Sequence, residues 1–397
     1  MDDASLLAAI AARPDDDAPR LVYADALLER GDPRGELIQV QCALAKLDED
    51  DARRKALAAR EAALLEAHGG AWTASPVGDV RLALERGMVE RAIGEPDVLA
   101  ANAALLIRAL PTLRSFELDL RSYGLDQAEA LDAFVRSPAM DVARSLTISS
   151  PIARRRTPLA PFLAAAANVQ ALSFDGAGLM RDDFDALVAA PCLAHLRVLC
   201  FSNARLGKNA SAPLARATFP LERFVFPSFH AGPALGEALA AAPAFAQLRE
   251  LVVPGNEIGA KALDAIVHAK RLSIVETLDL RSNALDAKSV AGLFDDRVLP
   301  RVRKLFLGGN AIGDDTARAI ARWPGASRLE KLHLGSTKLG DRGALALARS
   351  PHLATLRSLV LSFVKLKAAT KDALVASPTL ARARIYVGNA FLARAAR

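Results

Sequence analysis

Leu248-Arg249-Glu250-Leu251-Val252-Val253-Pro254-Gly255-Asn256-Glu257-Ile258 is followed, 27 residues on, by Val275-Glu276-Thr277-Leu278-Asp279-Leu280-Arg281-Ser282-Asn283-Ala284-Leu285. After 27 more comes Val302-Arg303-Lys304-Leu305-Phe306-Leu307-Gly308-Gly309-Asn310-Ala311-Ile312. In all three, apolar residues hold the first, fourth, sixth and eleventh places and asparagine the ninth. The L-x-L centre alternates, as a strand with one buried face must, because successive side chains leave opposite sides of an extended chain. A Gly or Asp then opens a stretch with apolar residues at helical spacing, such as Leu263, Ile266 and Val267. Working outward, the central apolar position recurs at Leu118, Leu146, Leu172, Leu199, Phe224, Leu251, Leu278, Leu305, Leu332 and Leu359, with gaps of 25 to 28 residues. A unit this short cannot bury its own apolar face, so the copies must stack on one another.

That period lies in the leucine-rich-repeat range. The expected fold is therefore α/β: a leucine-rich-repeat solenoid of about ten full repeats plus capping strands over residues 76–397, preceded by a small all-α segment over residues 1–75. Strands about 4.8 Å apart and helices about 8–10 Å apart can stack only by bending, which predicts a right-handed horseshoe with a parallel concave sheet and convex helices. Period and composition resemble the ribonuclease-inhibitor class of these repeats. Pro138, Pro191, Pro243, Pro351 and Pro378 are each expected to stop a helix, whereas Pro300 and Pro324 read as shifted. The ninth-position asparagine, expected to satisfy backbone groups in the turn, survives at Asn256, Asn283 and Asn310. Tyr123, Pro151, Ala177, Ala204, Phe229, Thr337 and Val364 replace it elsewhere. Residues 149–160, with Arg154, Arg155, Arg156 and Pro158, read as the largest deviation.

The first 70 or so residues lack the repeat. Leu6, Leu7 and Ile10 suggest a short helix; the acidic run Asp15–Asp17 caps a second over Arg20–Arg30. Asp32-Pro33 starts a third carrying Leu37, Val40, Leu44 and Leu47, and Ala52–Glu66 a fourth that Gly69-Gly70 should close. Asp17-Ala18-Pro19-Arg20-Leu21-Val22-Tyr23-Ala24-Asp25, Glu29 to Ile38, Gln41 to Leu44 and the later Glu85-Arg86-Gly87-Met88-Val89-Glu90 carry a family resemblance. Over about 45 residues the stretch resembles the repeat-companion domain that precedes leucine-rich repeats in proteins of the myxobacterial and planctomycete type. That resemblance implies no activity.

No run of apolar residues is long enough to span a bilayer, and the acidic start MDDASLLAAI lacks the basic region of a signal peptide, so a cytoplasmic protein is expected. Cys42, Cys192 and Cys200 are odd in number and show no C-x-x-C spacing, which argues against a disulfide framework or a structural zinc site. Net charge is +6 but uneven: residues 1–75 hold 9 Lys+Arg against 15 Asp+Glu, so the remainder is strongly basic. A basic body admits an acidic partner, although arginines on outer helices are more simply solvated. Aromatic content of 5%, with Lys and Arg spread over helices and turns, disfavours nucleic acid.

The six histidines His68, His195, His230, His268, His333 and His352 are scattered, with no zincin motif, phosphate-cradling loop or base beside a nucleophile. No catalytic residue, cofactor or metal is expected. Cys200 falls on the concave face, without a visible base. Register places Asp119, Thr147, Ser173, Cys200, Val225, Val252, Asp279, Phe306, His333 and Val360 on that face. Its middle is apolar at Val225 and Val252, continued by Pro227 and Pro254, and Phe306 adjoins Arg281, Lys304 and Lys331. An apolar cluster with a basic border suits a protein partner. β-branched residues also favour strands for their own sake, which accounts for the valines singly. The expectation is a non-catalytic scaffold, monomeric when unbound, that binds an unidentified protein or peptide through Val225, Val252, Asp279, Arg281, Lys304, Phe306, Lys331 and His333. Regulation of a catalytic partner such as a GTPase is the alternative.

Overall fold

In the computed structural model, described residues are 2–47, 51–120, 127–150, 163, 166–203, 205–206, 210–227, 230–388 and 390–392. Of the stretch 149–160 expected to deviate most, residues 151–160 lie outside them, as do the turn positions Tyr123, Pro151, Ala204 and Phe229. The chain divides into two compact units, residues 1–152 with 164–170, and residues 153–163 with 171–397.

The first unit begins with helices α1 (Asp3–Ala12), α2 (Asp17–Glu29), α3 (Arg34–Lys46) and α4 (Ala52–Trp72). Asp2, Asp16 and Asp51 cap α1, α2 and α4 by accepting first-turn N–H groups, Asp16 from Ala18 at 2.9 Å. Gly69-Gly70 does not end α4. The helix runs through both glycines and stops where the Thr73 amide and hydroxyl bond the Gly69 carbonyl at 2.9 and 2.8 Å. Leu6, Ile10, Tyr23, Leu27, Ile38 and Cys42 form one buried cluster that Met88 joins from strand β2 (Met88–Gly94), antiparallel to β1 (Arg81–Glu85). Gly87, in the turn at φ +75°, must be glycine, since a Cβ there would stand 2.3 Å from Cγ1 of Ile38.

Strands β3 (Ser115–Asp119) and β4 (Ser145–Ser149) follow in parallel with β2. Here one expectation is corrected. Phe116, not Leu118, pairs with Leu146; Leu118 pairs with Ile148 in the next buried column. A two-residue slip keeps every side chain on its face, so alternation alone could not separate Phe116-x-Leu118 from Leu118-x-Leu120.

A buried ionic cluster ties α2 to β2. Arg20, fully buried, donates to the carbonyls of Pro14 at 2.7 Å and Asp16 at 3.2 Å and to the Glu90 carboxylate, which also accepts from Arg114 at 2.8 Å. Burial pushes the Glu90 carboxyl up against the pull of the two arginines, and burial likewise pushes Arg114 down.

In the second unit the strands are β5 (Ala171–Asp175), β6 (Gly178–Leu179), β7 (Val198–Ser202), β8 (Arg205–Leu206), β9 (Arg223–Val225), β10 (Glu250–Val252), β11 (Thr277–Asp279), β12 (Lys304–Phe306), β13 (Lys331–His333), β14 (Ser358–Leu361), β15 (Arg384–Val387) and β16 (Ala390–Leu392). β6 and β8 form a separate two-stranded ladder; the rest run in chain order, parallel until β16 folds back antiparallel on β15. Leu172, Leu199, Phe224, Leu251, Leu278, Leu305, Leu332, Leu359 and Ile385 pair in one buried column as the period requires. Phenylalanine fills the column beside it in the early repeats, with the Phe201 and Phe226 rings 5.0 Å apart. Amphipathic helices such as Gly259–His268, Asp314–Arg322 and Asp341–Ala348 bury Leu263, Ile266, Ile320 and Leu347. Pro324 is not shifted. It opens a 3₁₀ turn, Pro324–Arg328, like those of Pro191–His195 and Pro243–Gln247, and the anchor two residues on, Ala326, is fully buried but too small to be recognised from the sequence.

The turns after the strands are built from two repeating features. Asn256, Asn283 and Asn310 are buried, and each reaches into the repeat before it: the Asn283 Oδ1 accepts from the Asn256 and Ile258 amides at 3.2 and 3.4 Å while its Nδ2 donates to the Val253 carbonyl at 2.8 Å. One place earlier, the backbone turns left-handed in successive repeats, at Gly176, Asn203, Gly255, Ser282, Gly309, Ser336 and Phe363. Glycine and asparagine take this conformation readily; a phenylalanine does not.

Candidate functional site

The sheet face of the second unit is read along the strand register. Val225, Val252, Asp279, Phe306, His333 and Val360 pair in one row, and Lys304 and Lys331 lie side by side in the row next to it. All eight residues expected at the site stand on this face, but they fall into two kinds. Val225, Val252, Lys304, Phe306 and His333 are half-buried, and the Arg281 side chain is 42% exposed. Asp279 and Lys331, at 3% and 8%, are buried and shape the surface from beneath.

Around Phe306 the arrangement is fixed by a chain of contacts. Asp279 grips the Arg281 guanidinium in a bidentate pair, Nε–Oδ1 2.9 Å and Nη2–Oδ2 2.6 Å, and also accepts the Arg281 amide at 3.1 Å. That pair holds the guanidinium carbon 5.5 Å from the centroid of the Phe306 ring, a cation–π distance. On the other side the His333 ring lies 6.3 Å from Phe306. The Gly335 amide donates to His333 Nδ1 at 3.3 Å, which leaves Nε2 to carry the proton of the neutral ring. Burial, then the Arg281 charge, push the His333 pKa below its ordinary value. Hydrogen bonding to Asp279 raises that of Arg281. Near neutral pH the site therefore presents one fixed cation, one aromatic face and one neutral imidazole.

Glycine makes room for this. A Cβ on Gly308, in the turn after Phe306, would come within 2.5 Å of His333 Nδ1. The imidazole therefore lies against bare backbone, and a side chain at Gly308 would displace it.

Burial pushes the Cys200 thiol up, away from thiolate, on a strand that pairs it between Ser173 and Val225. Among the described residues no group of three or more His, Cys, Asp and Glu could hold a metal ion, and no helix is long and apolar enough to cross a membrane. Trp323 packs at its helix end, its indole N–H donating to Asp296 at 3.0 Å.

Reading the strand positions alone missed a second ladder. Immediately before the strands, Arg197, Glu222, Arg249, Glu276, Arg303, Glu330 and Arg357 alternate in sign without exception. Their amides bond from each repeat to the last, and ion pairs join Arg197 to Glu222, Arg249 to Glu276 at 2.8 Å and Arg303 to Glu330 at 2.9 Å. The signal was present in the sequence as a period of two repeats. Strict alternation disfavours slippage by one repeat, which would oppose like charges along the whole edge.

A family model described as Leucine Rich repeat matches residues 327–348, which carry β13 and the whole of the helix after it. With the register above, this defines the chain's architecture as an α/β leucine-rich-repeat solenoid with an all-helical N-terminal segment. Among solved structures it is similar to an internalin (inlF) from Listeria monocytogenes, at 16% identity and a TM-score of 0.41 over 71% of this chain and 70% of that one. It is also similar to a chain in an octameric complex of Latrophilin 3, Unc5D and FLRT2, at 14% identity and a TM-score of 0.42 over 78% and 86%. A third, in the complex of Rad7 and Elc1 in yeast, has 14% identity and a TM-score of 0.35 over 70% and 74%. Comparison with curated proteins found no match.

Proposed function

We propose that this protein is a non-catalytic interaction scaffold whose sheet face, centred on Phe306, docks a protein or peptide. The observation that carries the reading is the Asp279–Arg281–Phe306–His333 chain of contacts. It presents an aromatic anchor and a cation already held in place, so a partner pays little ordering entropy on binding. Val252 and Val225 extend the patch and half-buried Lys304 borders it, while Lys331, buried, supports the surface from beneath. The helical segment of residues 1–75, of the kind that resembles the repeat-companion domain, acts as a cap on its own unit. Regulation of a catalytic partner gains no specific support, since Arg281, the one arginine at the centre, is already engaged by Asp279.

The test is partner affinity. Phe306→Ala and Arg281→Glu should each weaken the complex about tenfold or more while changing stability by no more than about 1 kcal/mol. Unchanged affinity for both, with loss of binding on substitution at exposed helix positions, places the site elsewhere.

A further inference from the structure

Phe363 stands out from its column. It occupies the left-handed turn position, at φ +59°, where the other described repeats carry glycine, asparagine or serine, and its side chain is 72% exposed. A bulky residue held in a disfavoured conformation with its ring in solvent gains nothing for the fold. The two exposed phenylalanines among the described residues, Phe363 and Phe391, both belong to this end of the chain. The Phe363 amide bonds the Gly388 carbonyl, in the turn that leads from β15 to β16, and Phe391 on β16 pairs with Tyr386, their rings 5.2 Å apart.

The sequence toward this end of the chain is also basic. From Pro351 to Arg397 the sequence holds eight Lys or Arg against one acid, Asp372, an excess greater than the +6 of the whole chain. Lys338 and Lys365 occupy the same place in successive repeats, two residues after Ser336 and Phe363, and Lys367 follows. All three are exposed, and no carboxylate ion-pairs with them among the described residues. A low aromatic content averaged over the chain conceals this local combination.

We infer that the loop edge formed by Lys338, Phe363, Lys365 and Lys367, with Tyr386 and Phe391 beside it, binds single-stranded nucleic acid. Charge complementarity calls for a polyanion, and the rings decide which kind. Phe363 projects into solvent and offers no pocket for an apolar side chain, but a flat ring face is what a base stacks on. Lysines supply mobile point charges suited to phosphates passing along a strand, in contrast to the fixed fork that arginine offers one carboxylate. Tyr386 continues the row of Phe306, His333 and Val360, but Phe363 and the three lysines lie in the loops after the strands, so substitutions there test this site without altering the strip around Phe306.

The experiment measures fluorescence anisotropy of a labelled mixed-sequence single-stranded oligonucleotide, as RNA and as DNA, titrated with the full chain. Binding is expected, and Phe363→Gly should weaken it about tenfold while raising the melting midpoint by about 2–4 °C, because glycine relieves the turn. That rise shows the variant is folded. Lys365→Gln with Lys367→Gln should reduce the slope of log affinity against log salt by roughly 1.4. No binding by the parent chain overturns the inference. So does equal loss of binding to poly-glutamate in every variant, which would make the edge a site for acidic peptide, or an unchanged affinity of Phe363→Gly, which would reduce it to diffuse charge attraction.

Discussion

Replacing Asn283 by alanine removes one side chain and orphans its neighbours' backbone. Asn283 is fully buried. The Val253 and Arg281 carbonyls it serves keep other donors, Asn256 Nδ2 at 3.1 Å and the Gly255 amide at 2.8 Å. The Asn256 and Ile258 amides have no such second acceptor in the turn, so the cost falls on them. A buried donor left unpaired costs about 1–3 kcal/mol, and these bonds are long, so the two together should cost roughly 3 kcal/mol. For a unit of this size that is a fall of about 6–12 °C in melting midpoint. Urea unfolding followed by circular dichroism and by Trp323 fluorescence measures it. A loss under about 1 kcal/mol would refute the reasoning, because it would mean the turn repacks or hydrates without the asparagine.

Three further outcomes follow from other parts of the chain. Arg20→Ala leaves Glu90 with Arg114 alone in a buried site and should cost about 3–5 kcal/mol, read from urea midpoints; a neutral result would mean water replaces the guanidinium. Asp341 is held below the usual carboxylate range by the Thr370 hydroxyl and the Lys367 amide, so its contribution is full above about pH 4 and is lost as pH falls through its lowered value. Melting midpoints at pH 6, 4 and 3 should show a smaller acid loss in Asp341→Asn than in the parent. Gly308→Ala should displace the His333 ring and raise the His333 pKa toward its ordinary value, as NMR titration would show; an unchanged value would mean the Gly308 backbone does not hold it.

How much of this the sequence disclosed depends on how much of each feature is periodic. The column from Leu172 to Leu359, the asparagine turns and the facing of Phe306 and His333 follow from a repeat of fixed length, and they stand in register in the structure. The slip at Phe116 was not legible, because moving by two residues changes the partner but not the face. Burial within a row was not legible either: Asp279 and Lys331 point to the sheet face as register demands, but close neighbours cover them. The left-handed turn position had a residue signature, Gly, Asn or Ser, against which Phe363 stands out only once the backbone is seen. The Arg–Glu ladder was legible but has a period of two repeats, twice the one that organises everything else.

The claim that the sheet face around Phe306 is where this scaffold meets its partner is tested most directly by site-specific crosslinking. A photoreactive residue is placed at Phe306, and in a second protein at Lys261, exposed on the helix Gly259–His268. Each is irradiated in extract of the source cells. The account predicts a discrete crosslinked protein from position 306, lost when Arg281→Glu is added, and none from position 261. The same product from position 261 with none from 306 would contradict it.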